Sequence, residues 1–165
     1  IFLLVYKKSK GGFLLSTLAA IGAFLLLLFP TNALVDKCCD VCNSVSIAHI
    51  DDSVFRNTFH YISAAIFLGS LATMSLFVFT KDNRKKLLYE PESCTPTKVK
   101  HQNIVYRVCG IIMILALLVI VSGSYIPAFK PIYEANNLTF WMETIAVEAF
   151  GFSWLVKGET VFKSK

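Results

Sequence analysis

Hydrophobic residues run through this chain in long unbroken blocks. They show neither the two-residue alternation of a half-buried strand nor the 3.6-residue rhythm of an amphipathic helix. Four blocks, Phe13–Pro30, Phe55–Thr80, Ile104–Pro127 and Leu138–Val156, approach or exceed the roughly 20 apolar residues that carry an α-helix across a bilayer. Lipid offers no hydrogen bonds to a backbone, so such blocks must be helices or a closed barrel, and barrel strands would alternate. A shorter apolar run, Ile1–Tyr6, is followed by Lys7, Lys8 and Lys10, as the end of a helix leaving the membrane would be. The pattern predicts an all-α polytopic membrane bundle: four complete transmembrane helices plus the end of a fifth, in a chain truncated at its N-terminus. Residues 1–165 form one domain in this reading, with helices at about 1–6, 13–30, 55–80, 104–127 and 138–156, an outer loop at 31–54 and a cytoplasmic loop at 81–103.

Composition agrees: 55% of residues are hydrophobic, which is uncommon for a soluble domain of this size. Charge adds an orientation. Lys7, Lys8, Lys10, Lys81, Arg84, Lys85, Lys86, Lys98, Lys100, Arg107, Lys157, Lys163 and Lys165 all fall on one side of the predicted alternation. Only Lys37, Arg56 and Lys130 fall on the other, beside Asp36, Asp40, Asp51, Asp52 and Glu134. The basic side is expected in the cytoplasm, which places the C-terminus there. The same lysines can touch anionic lipid headgroups, but orientation alone accounts for them. No aromatic residues interleave with them in a folded patch, so nucleic acid is not an expected partner.

The outer loop carries Cys38, Cys39 and Cys42 ahead of His49 and the pair Asp51–Asp52. On an oxidising face the first expectation is a disulfide from Cys42 to Cys38 or Cys39. A metal site built from two of these cysteines and His49 is the alternative, and zinc's demand for four ligands counts against it. Cys94 and Cys109 read as reduced thiols. Tyr89–Thr97, with two prolines and no apolar period, reads as a flexible cytoplasmic loop. Asn137-Leu-Thr139 is a glycosylation sequon pressed against a helix start, where use is not expected.

Within the spans, small residues mark expected helix contacts: Ser16, Ala19, Ala20 and Ala23 in the first complete helix, and Ala65, Gly69 and Ala72 in the second. Ionisable residues there are costly, and three stand out: His60, Glu143 and Glu148. His60 and Glu143 each lie about five residues inside helices that start at the outer face, so they are expected at one depth and across one interface. They read as a proton relay, a ligand site, half of a metal site, or a hydrogen bond that fixes helix register. Glu148, near the midplane, is expected to face the bundle interior, another chain or a ligand. Glu143 and Glu148 are five residues apart and point roughly 140° away from each other. Nucleotide-binding glycine loops, His-Glu-x-x-His, Gly-x-Ser-x-Gly and Cys-x-x-Cys-His are missing from the sequence.

Three stretches taken together, His60–Phe67, Tyr106–Ile112 and Phe140–Ala146 running on through Phe150–Glu159, resemble an uncharacterised family of small bacterial membrane proteins of about six helices. That resemblance implies a bacterial inner membrane and no known activity. A more distant likeness is to the ceramidase and progestin-receptor-like superfamily of membrane hydrolases, which use a Ser, an Asp and three His residues around a metal. Here His60 is the one histidine placed in a helix, and no His-x-x-x-His lies near the C-terminus. These departures weigh against carrying over the metal site unless residues upstream supply most of it, no catalytic residue is assigned and the cofactor is left open. Two function classes follow. The first is a non-catalytic accessory or structural subunit that binds other membrane chains or lipids. The second is a membrane-embedded metal-dependent hydrolase or proton-coupled transporter using His60, Glu143 and Glu148.

Overall fold

The structure is a computed structural model that describes residues 9–29, 53–89 and 95–158. Cys38, Cys39, Cys42, His49, Asp51, Asp52, Cys94 and the run 1–6 lie outside the described residues. Every element among the described residues is helical. Helix α1 (Lys10–Leu28) opens on Ser9, whose Oγ accepts the Gly12 N–H at 3.1 Å. Helix α2 (Ser53–Thr73) runs without a break through a π-helical stretch, Met74–Phe79, into α3 (Thr80–Tyr89). Helix α4 (Pro96–Tyr125) opens on Thr95, with Pro96 in the first turn where a missing N–H costs nothing. A short α5 (Lys130–Ala135) and α6 (Leu138–Lys157) complete the order.

Among the described residues, three helices are long and apolar enough to cross a membrane: Lys10–Leu28, Val54–Tyr89 and Pro96–Gly123. Helix α6, which holds Glu143 and Glu148 within its 20 residues, is not among them. The loop expected at 81–103 is shorter than the sequence implied. Residues 81–89 continue the preceding helix, and 96–103 already belong to α4, so Pro96 starts a helix instead of interrupting one. His101 consequently joins His60 as a helical histidine, on an exposed face. Local polar composition suggested a loop, but helix continuation and a Thr-Pro cap decided the outcome.

Helix α1 packs only on α2 and the π-helical stretch among the described elements, α2 packs on α4, and α4 packs on α6. Leu71, Ala72, Met74, Phe79, Tyr106, Met113 and Ala146 form the core where α2, α4 and α6 meet. The expected small-residue seams are partly shifted. Helix α1 buries Gly12, Ser16, Ala19 and Gly22, while Ala20 and Ala23 are only half-buried. On α2, Ala72 is buried but Ala65 is exposed and Gly69 has open space beside it. Ser63 and Phe67 instead face Gly22, close enough that a Cβ there would stand 3.0 Å from Phe67 N and 3.1 Å from Ser63 O.

The π-helical stretch widens the helix and frees carbonyls that need partners. Thr73 Oγ1 donates to Gly69 O at 2.7 Å, and Thr80 Oγ1 donates to Leu76 O at 2.8 Å. Ser75, fully buried, donates across to Tyr106 O at 2.9 Å and ties α4 to the bulge. The bulge presses Leu76 against Gly110, where any larger residue would collide with it.

Candidate functional site

Two polar sites lie at opposite ends of the bundle. The α5 end holds the residues that the sequence singled out. Asn137, in the left-handed region at φ 48°, makes the tight turn from α5 into α6. Tyr133 of α5 is buried with its ring against Gly123, a position where a Cβ would overlap the ring. Thr139 Oγ1 donates to Tyr133 Oη at 2.8 Å. Burial raises the Tyr133 phenol above its ordinary value. The Thr139 hydrogen bond works against that rise, and the charges of Glu143 and Tyr61 add to it. The phenol therefore stays protonated.

An open pocket of about 270 Å³ lies between α2, α4 and α6. Its walls are mostly aliphatic, with Leu68, Leu117 and Ile120 at its core, and its polar groups come from Tyr61, Tyr125 and Glu143. The small side chains of Ala64 and Ala65 leave this space open. His60 lies outside the lining. Its Nδ1 is 2.8 Å from Phe29 O, and because a carbonyl only accepts, Nδ1 carries the hydrogen. His60 and Glu143 are within electrostatic reach of each other. No ion pair or hydrogen bond joins them among the described residues. The sequence thus placed the two residues in one region, and the imidazole spends its contact on the end of α1.

Glu148 does not face the bundle interior. It is exposed, on an open groove of about 470 Å³ between α4 and α6 lined by Ile104, Val108, Ile112, Ile145 and Phe152 among others. Gly151, one turn on, has nothing within 4 Å of where its Cβ would be, so this face of α6 is open. Cys109, a buried free thiol, also lines the groove. Among the described residues no three His, Cys, Asp or Glu side chains come together as a metal site would need.

At the other end is a buried network that sequence reasoning missed. Lys157 Nζ donates to Asn83 Oδ1 at 3.1 Å, lies 4.0 Å from Asp82 Oδ2, and sits 5.6 Å from the centre of the Phe79 ring. Asn83 Nδ2 donates to Gln102 Oε1 at 2.8 Å. Asp82, Asn83 and Gln102 are all buried, and Phe79 meets Tyr106, Phe150 and Trp154 edge-on or tilted. One cation thus closes α3, α4 and α6 together. The available signal was Asp82-Asn83, an acid and an amide in a run that otherwise reads as basic. Counting the run's charge hid them. No family model, curated protein or solved structure matches the chain.

Proposed function

We propose that the chain is a multi-pass plasma-membrane protein acting as a non-catalytic subunit that binds other membrane chains. The observation that supports it is Glu148 on an outward-facing aliphatic groove. A carboxylate near a bilayer midplane is costly against acyl chains and is stabilised by a partner. No Lys or Arg is among the residues that line the groove, so a neighbouring helix with a central lysine or arginine fits it. Helix α6 is the fourth crossing in this reading. Its 20 residues reach about 30 Å at roughly 1.5 Å per residue, the thickness of a hydrocarbon core.

A designed leucine-rich transmembrane peptide with one central lysine tests the groove directly. By energy transfer in bilayers it should associate with the chain at least tenfold better than the all-leucine peptide. Glu148→Leu should erase the difference, and equal association of both peptides with the parent chain would end the subunit reading.

The same reading puts Lys85 and the C-terminus in the cytoplasm and Lys130 outside, following the lysine asymmetry. Single cysteines introduced at positions 85 and 130 of a cysteine-free chain should label from opposite sides of sealed vesicles. Labelling of both from one side would overturn the orientation. A second reading, a proton-coupled transporter, draws support from Glu143 in its cavity within the field of His60. Glu148 occupies a separate groove, so the three residues do not line one path.

A further inference from the structure

A cavity with aliphatic walls, one carboxylate and two phenols has the chemistry of a receptor for a cation on an apolar stem. We propose that the space between α2, α4 and α6 binds an organic ammonium ion, its head at Glu143 and the Tyr61 and Tyr125 rings, its stem against Leu68, Leu117 and Ile120.

Glu143 supplies the first argument. It is half-buried among apolar side chains, and no hydrogen bond or ion pair satisfies it among the described residues. A carboxylate so placed gains by pairing with a charge brought from outside. His60 acts on it only through its field, because the imidazole lies outside the lining and its Nδ1 is committed to Phe29 O. The two tyrosines supply the second argument, since an ammonium group is attracted to the faces of aromatic rings as well as to a carboxylate. An anion would be repelled by Glu143, and a neutral alkane would leave the carboxylate uncompensated.

Size supplies the third. A water molecule's share of liquid volume is about 30 Å³, so about 270 Å³ holds roughly nine groups of that size. That suits an amine with a stem of about six carbons, and it is too small for a whole lipid. The ammonium can come from a soluble alkylamine or from the amino headgroup of a phospholipid. Both present the same chemistry to Glu143.

Calorimetry on the full chain in uncharged maltoside micelles separates these cases. Hexylammonium should bind saturably, one per chain, and at least tenfold tighter than hexanol, which has the same stem and no charge. Glu143→Gln should weaken hexylammonium at least tenfold while helicity and melting stay near the parent values. Ala65→Phe, which puts a ring on the pocket's lining and leaves Glu143 in place, should abolish binding. Should Glu143→Gln fail to fold, the Ala65→Phe chain and the hexylammonium-to-hexanol ratio of the parent decide the matter. Micelles doped with phosphatidylethanolamine then identify the source: competition with hexylammonium supports the site with a lipid headgroup as its occupant, and no competition supports it with a soluble amine. Equal binding of hexanol and hexylammonium, undiminished binding by Glu143→Gln or Ala65→Phe, or no binding to the parent chain would each overturn the proposal.

Discussion

Lys157→Met should cost the bundle about 3–5 kcal/mol, the range expected when one partner of a buried ion pair is removed. Methionine keeps most of the lysine's volume, so little of that loss comes from a cavity. It comes from charge and hydrogen bonding. The side chains of Lys157 and Asp82 are 10% and 5% exposed, so Asp82 would lose the Lys157 ammonium in a site largely closed to water. Asn83 Oδ1 would lose its donor, and the Phe79 ring would lose the charge beside it. The 4.0 Å separation of Lys157 and Asp82 makes their direct attraction weaker than in a tight pair. The cost of burying the carboxylate does not shrink with it. Asp82→Asn in the Lys157→Met chain should therefore recover at least half of the loss, because an amide needs no counter-charge. Unfolding of the parent, single and double variants in mixed maltoside and dodecyl sulfate micelles measures all three. A single variant within about 1 kcal/mol of the parent would show that water already solvates this network.

The unequal legibility of the two ends has a physical origin. Apolar blocks are long and redundant, so the helices at 13–30, 55–80, 104–127 and 138–156 were readable even though most boundaries shifted. A fixed rise per residue converts sequence position into height along a helix, and His60 and Glu143 do come within electrostatic reach of each other. Azimuth was not readable. Which way Glu148 points depends on which helices neighbour α6, and α6 packs chiefly on α4 with its Glu148 face left open. The Lys157 network was hidden for a related reason. Lysines near helix ends normally snorkel toward water and orient the chain. Lys157 instead turns inward because α3 continues the preceding helix to Tyr89 and brings Asp82 and Asn83 beside the end of α6. The π-helical stretch is part of that geometry, and nothing in Met74–Phe79 announces an extra residue per turn.

Gly22→Leu should detach α1 from the rest of the bundle. Helix α1 touches only α2 and the π-helical stretch among the described elements, so its place rests on one seam. At Gly22 that seam is tight, with Phe67 N and Ser63 O about as near as a Cβ could stand. Those atoms are backbone and cannot rotate away, so the helices must separate to admit a side chain. In water the extra apolar surface would repay part of that separation. In lipid it does not, because acyl chains solvate leucine as well as a neighbouring helix would, and close van der Waals contact is what holds the pair. Gly22→Ala is the informative contrast. Its Cβ sits at the edge of tolerance, and alanine's better helix propensity, worth about 1 kcal/mol, offsets the strain. The alanine chain should stay close to the parent, while the leucine chain should lose about 1–3 kcal/mol, the usual cost of overpacking. Spin labels at Leu18 and Ile66, both exposed, report the interhelical distance without disturbing the seam. The distance distribution should broaden and lengthen for Gly22→Leu and hold for Gly22→Ala. An unchanged distribution in the leucine chain would mean that α1 is held by something other than its contact with α2.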